Sequence, residues 1–199
     1  YLAKPTVEGD NWMITQQAAR YLISRCEDVV SGSSSTSRSA TEASLRHSHT
    51  TQAFPPLLTS LEKDEDIALA FAWRTSYYAF RAHQLRNTEH QSWNSLLIDL
   101  YKLSTAYSQN LLVSNFLSAL NSESTGTLSS ETREVMRNLY RLHALHTIDL
   151  HAREFQASSP ITTPHNNLII PIIRIERLPI QRIQDVRPVK QILVHFSVL

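Results

Sequence analysis

Three glycines, Gly9, Gly32 and Gly126, are all that 199 residues contain, and this scarcity constrains the fold more than any other feature. Hairpin-rich architectures need residues that tolerate positive φ at their tight turns, so a chain with so few suits helices joined by few turns. Each glycine also falls where a helix would start or stop. Trp12, Ala19, Ile23 and Cys26 recur at helical spacing behind the N-cap candidates Asp10 and Asn11. They predict a helix over about 11–30, with Gly32 close to where a left-handed cap residue belongs.

Beyond it lies the polar tract Ser31 to Ser39, which has nothing to bury. Residues 31–57 read as a mobile linker, closed by Phe54-Pro55-Pro56 docking against the bundle; an ordinary surface loop and a phosphorylation site are the two roles open to the serines. Thr59-Ser60-Leu61-Glu62 has capping-box spacing and predicts a helix of about 60–86. Ile67, Phe71, Tyr78 and Leu85 make one apolar face, and Trp73, Tyr77 and Phe80 a second. Such a helix is packed on both sides and central, its aromatics serving as core or as the lining of an apolar tunnel. Thr88-Glu89-His90-Gln91 repeats the capping pattern ahead of a helix of about 89–120. A further helix, about 130–155, follows on Val135, Leu139, Leu142 and Leu145, with Glu131 and Glu134 near its start. Short connections between long helices imply antiparallel neighbours, so the expected fold is an all-α, up-and-down helical bundle.

The final stretch, 159–199, departs from this style. Five of the eight prolines lie there among isoleucines that favour extended structure. A shifted reading frame or retained intron would produce such a change, and so would genuine divergence. The expected organisation is a terminal turn and helix (1–30), a Ser-rich linker (31–57), a helical domain (58–158) and an atypical tail.

Lys and Arg number 19 against 18 Asp and Glu, mixed along the chain, which leaves no electrostatic case for nucleic acid or an anionic membrane. No run of apolar residues reaches the length of a membrane span. A single cysteine, Cys26, cannot form an internal disulfide, and its place on the apolar side of the first helix predicts an inert buried thiol. His143, His146 and His151 have spacings that occur among metal ligands, but no partner acid stands out and Arg141 and Arg153 flank them. They read as solvated or core histidines, with no metal site.

The chemistry-bearing stretch is Val7-Glu8-Gly9-Asp10-Asn11, which sets an acid in a turn at the mouth of a helix. Joined to Gln17-x-x-Arg20-Tyr21-Leu22, it resembles the acyl-CoA oxidases of peroxisomal β-oxidation and, more distantly, the acyl-CoA dehydrogenases. The likeness is best over 1–30, looser over 60–155, and fades beyond about 165. It implies that Glu8 is the catalytic base, that Gly9 lies against the acyl-CoA substrate, and that Asp10 and Asn11 lie near an FAD cofactor. Asp10 stands where many dehydrogenases have Thr, so a hydroxyl contact to the flavin does not carry over; capping the helix is the simpler role for Asp10 and Asn11. The reaction implied is removal of an α-proton by Glu8 as a hydride leaves the β-carbon for the flavin, giving a trans-2-enoyl-CoA. In the family the thioester oxygen is stabilised by the base's own backbone N–H and a flavin ribityl hydroxyl.

By the same resemblance O2 reoxidises the flavin and yields H2O2, the full-length enzyme is a homodimer, and the compartment is the peroxisome. The chain opens on Tyr1 with this turn a few residues in, which reads as the C-terminal piece of a longer protein, inactive alone. Its last residues, Ser197-Val198-Leu199, share only their outer positions with the Ser-Lys-Leu peroxisomal address. Two other readings stand beside this one. A dehydrogenase would pass electrons to a protein acceptor, and a helical interaction module or decayed gene product would do no chemistry.

Overall fold

A computed structural model describes residues 11–32, 39–51, 61, 63–122 and 129–158. The chain divides into two units, Tyr1–Thr163 and Pro164–Leu199, and every described residue falls in the first. These residues form six α-helices and no strand: α1 (Asn11–Val30), α2 (Ala40–Thr51), α3 (Asp64–His83), α4 (Leu97–Asn121), α5 (Ser130–Leu150) and α6 (Ala152–Ser158). None is long and apolar enough to cross a membrane. The all-α bundle expected from glycine scarcity and helical periodicity is the observed fold.

α1 runs over the predicted residues, and Gly32 follows it at φ +67°. In that conformation its N–H turns back to the Val29 carbonyl at 3.3 Å while Ser31 N–H reaches that of Glu27 at 2.9 Å, satisfying carbonyls that the helix end would leave open. Ala19, Leu22, Ile23, Cys26 and Val29 are the buried face.

The segment 31–57, expected to be a mobile linker, holds a helix over Ala40–Thr51. α2 opens on Ser39, whose Oγ accepts from Glu42 N–H at 3.2 Å, and it docks through Leu45 and Glu42, both buried. Periodicity missed it because one leucine carries its apolar face. Glu42 is offset by Arg46 at 3.1 Å, one turn along. Phe54-Pro55-Pro56 and most of the Thr59–Glu62 box lie outside the described residues. α3 begins at Asp64, with Lys63 at its N-cap and no side-chain cap. Asp64, Glu65 and Asp66 in its first turn complement the helix dipole instead.

α3 is the hub, touching all the other helices. Its two apolar faces are both used: Ile67, Phe71, Trp73 and Tyr78 are buried, and Tyr77, Phe80 and Leu85 are partly so. α3 and α4 pack together, Ala79 and Ala82 sharing a buried cluster with Leu103 and Ala106, and Thr75 Oγ1 donates across to the Ala106 carbonyl at 3.1 Å.

Two further expectations shift. α3 continues into a π-helical turn, Gln84–Thr88, and α4 starts only at Leu97, so Thr88-Glu89-His90-Gln91 caps nothing. Backbone bonds of that wider turn, Glu89 N–H to Gln84 O and Gln91 N–H to Leu85 O, both 3.0 Å, occupy the segment, and His90 takes φ +54°. The predicted 130–155 helix breaks at His151 into α5 and α6. Ser129 caps α5 by accepting from Thr132 N–H. The buried side of α5 is Tyr140, Ala144, Thr147 and Ile148, while of the expected face Val135, Leu139 and Leu142 are exposed and Leu145 is half-buried. Tyr140 wins because its hydroxyl donates to the Asp64 carbonyl at 2.9 Å and its ring meets Phe116 edge-on. Arg137 and Arg141 then clamp the Asp64 carboxylate at 3.1 and 2.9 Å.

Candidate functional site

Glu8, Gly9 and Asp10 lie outside the described residues, as does the side chain of Asn11, whose backbone opens α1. What the structure describes is the helix that follows them in the chain. Ser104 Oγ of α4 donates to the Thr15 carbonyl, so α1 is pinned one turn from its start, and its buried face fixes the remainder. Met13, Ile14 and Tyr21 point outward and are exposed. Arg20, from the motif, lays its guanidinium against Trp93, 4.7 Å from the ring centroid; Arg86 lies 4.9 Å from the same ring and donates to the Gln91 carbonyl at 2.8 Å. Trp93, expected inside a helix, is the anchor of the loop that precedes α4.

Where α1 meets the π-helical turn, Glu27 Oε2 lies 2.5 Å from His83 Nε2 and accepts from Asn87 Nδ2 at 2.8 Å. Those hydrogen bonds, His83 first and Asn87 second, hold the Glu27 carboxyl below the ordinary carboxylate value. Cys26, in the core beneath, is fully buried, and desolvation pushes its thiol up to about 12, so it is the inert side chain expected. His143 and His146 are exposed, and among the described residues no group of three His, Cys, Asp or Glu side chains could hold a metal ion.

A groove of about 660 Å³ opens between α2, α3, the π-helical turn and α6. Trp73, Tyr77, Phe80, Leu85 and Ala157 supply its apolar wall, with Ser48, Arg81 and Glu89 among its polar groups. The second aromatic face of α3 therefore serves partly as core and partly as groove wall. Trp73 is held by donating from Nε1 to the Ser158 carbonyl at 3.1 Å, and His49 lies 5.4 Å from the Phe80 ring.

Sequence reasoning missed the most polar part of the interior. Arg74, fully buried in α3, donates from Nη2 to Gln109 Oε1, lies 3.6 Å from Glu154 Oε2, and rests over the Phe155 ring at 4.3 Å. Burial lowers the pKa of its guanidinium, and the Glu154 charge opposes that shift. Gln109 Nε2 lies 3.1 Å from His151 Nε2, and His151 Nδ1 is 3.5 Å from Glu154 Oε2. No local signal marks the four, since they come from three separated stretches.

The class of protein is thus an all-α bundle built on a two-faced central helix. The model of the acyl-CoA oxidase family matches residues 63–187, more than half of the chain, and the chain belongs to that family. It is 23% identical over 183 residues to a putative peroxisomal acyl-coenzyme A oxidase 1.2 of Arabidopsis thaliana, covering 84% of this chain and 25% of the relative. The solved structure of Arabidopsis thaliana acyl-CoA oxidase 1 has the same fold, with a TM-score of 0.64 at 21% identity, over 82% of this chain and 25% of that one. The chain therefore spans about a quarter of the length of these relatives. The family match starts beyond the Glu8 turn. It continues to residue 187, through much of the Pro/Ile-rich stretch in which the likeness was expected to fade.

Proposed function

We propose that this chain is the C-terminal part of a flavin-dependent acyl-CoA oxidase, comprising the last turn and helix of the catalytic module (1–30), a connecting segment (31–57), the helical domain (58–158) and a divergent tail. Family membership over 63–187 is the observation that carries the reading, and the start of α1 at Asn11, directly after the Glu8 turn, supports it.

In this reading Glu8 takes the α-proton of an acyl-CoA thioester, and Gly9 lets the backbone approach the substrate closely enough for the Glu8 amide to hydrogen-bond the thioester oxygen. FAD, when bound, supplies the hydride acceptor, and O2 reoxidises it with release of H2O2. In this reading the described part of that site is the first turn of α1, whose positive dipole end suits a polar or anionic group of cofactor or substrate. Asp10 and Asn11 would lie on the flavin side of that turn. Pinning of α1 by Ser104 and its core face keeps the base on a rigid mount.

A homodimer in the peroxisome is part of the proposal; the name of the Arabidopsis relative supports the compartment. The test uses the full-length protein. Anaerobic addition of acyl-CoA should bleach the flavin, air should then yield H2O2, and Glu8→Gln should slow bleaching by about 10²–10⁴-fold, the range of a positioned general base. Bleaching without peroxide would turn the reading to a dehydrogenase with a protein acceptor, and undiminished bleaching in Glu8→Gln would remove Glu8 from its role.

A further inference from the structure

Arg74, Gln109, His151 and Glu154 close a circuit in which chemistry dictates the direction of every contact. A guanidinium only donates and a carboxylate only accepts. Gln109 must therefore turn Oε1 to Arg74 Nη2, which leaves its amide nitrogen 3.1 Å from His151 Nε2. That ring nitrogen has to accept, so the imidazole proton sits on Nδ1, facing Glu154 Oε2 at 3.5 Å. Glu154 Oε2 in turn faces Arg74 Nη1 at 3.6 Å. With a neutral His151 the two hydrogen bonds through Gln109 both run from a donor to an acceptor, Glu154 adds charge contacts to Arg74 and His151, and the circuit links α3, α4 and α6 at the break where α5 ends.

We propose that His151 is a proton-sensitive latch, holding α6 and the α5–α6 break against α3 only while its imidazole is neutral. Protonation makes Nε2 a donor that confronts the donor end of Gln109. Rotating the amide would answer the imidazolium but aim its NH2 at the donor-only, fully buried Arg74. Of the charged and titratable groups, Glu154 of α6 faces the ring itself; Arg74 and Tyr78 of α3 act on it through Glu154, and α4 offers the neutral Gln109. Glu154 gains from an imidazolium while Arg74 at the same carboxylate loses, so the donor conflict at Gln109 sets the sign. α6 also carries Ala157 and Ser158 of the groove wall, so releasing the latch would loosen one side of that groove.

Nitrogen-15 spectra of the histidines in the 199-residue chain test the premise directly, with His151 expected as the Nδ1–H tautomer at neutral pH. Hydrogen exchange, referenced to the unfolded chain at each pH, should show residues 152–158 losing about tenfold in protection, roughly one hydrogen bond's worth, on acidification that protonates His151. Gln109→Glu, whose carboxylate accepts from Arg74 and imidazolium alike, should keep that protection. An Nε2–H tautomer in the wild type, acid-insensitive protection of 152–158, or an undiminished acid loss in Gln109→Glu would each overturn the latch. The first two readouts need no variant, so a Gln109→Glu that fails to fold leaves the proposal decidable.

Discussion

Arg74 Nη2 donates to Gln109 Oε1 across the α3–α4 interface, and Arg74 makes no hydrogen bond through Nε or Nη1 among the described residues. A fully buried cation that depends on one amide for its hydrogen bonding is sensitive to losing that amide. Gln109→Ala should cost about 1–3 kcal/mol, the penalty of a buried donor left unpaired, read as a lower urea midpoint at unchanged slope. Arg74→Met, which fills the space between Phe71 and Phe155 without a charge, should cost less than Gln109→Ala, because removing a buried charge is cheaper than stranding it. The reverse order would show that the arginine itself holds the interface.

Leu45 decides whether 40–51 is part of the bundle. It is buried, and it carries the apolar docking of α2. Leu45→Ala should therefore destabilise by about 2–5 kcal/mol, measured by thermal or urea unfolding. A linker leucine would be neutral.

Glu27 gives the bundle an acid-sensitive contact between α1 and the start of the π-helical turn. Its carboxyl is held below the ordinary value by His83 and Asn87. A depressed folded-state pKa means that the stabilisation is present in full above the unfolded carboxylate value and is lost as pH falls through the folded one. The stability gap between wild type and Glu27→Gln should accordingly be widest near neutrality and close in acid. A gap that grows on acidification would contradict the contact.

Cys26 should be silent towards thiol reagents in the folded protein. It is buried in the core and its thiol is pushed up to about 12 by desolvation, so almost no thiolate forms at neutral pH. Labelling by a disulfide reagent should begin only when urea unfolds the chain, following the unfolding curve. Prompt labelling in native buffer would show that α1 leaves the core on that timescale.

Local features of the sequence were enough for much of this fold. The extent of α1, its termination at Gly32 and the central role of α3 follow from helical periodicity, from the need for a residue that accepts φ +67°, and from two greasy faces on one helix. These are properties of neighbours in the chain, and they hold before anything packs. The expectation for Glu8 rests on likeness to a family alone, because a single acid before a helix has no local signature of its own, and Glu8 lies outside the described residues.

Tertiary structure decided whatever depended on which surface met which. α5 carries two apolar faces, Val135-Leu139-Leu142 and Tyr140-Ala144-Ile148, and the second is buried because the Tyr140 hydroxyl reaches the Asp64 carbonyl and Arg137 and Arg141 reach its carboxylate. Thr88-Glu89-His90-Gln91 had the pattern of a cap opening a helix of about 89–120, yet the π-helical turn and the placing of Trp93 beside Arg20 and Arg86 displaced the start of α4 to Leu97. Arg74, Gln109, His151 and Glu154 meet only after three segments have folded together. Burial and hydrogen-bond partnership belong to pairs of surfaces, so one strand of sequence can propose a face but only its neighbour can take it.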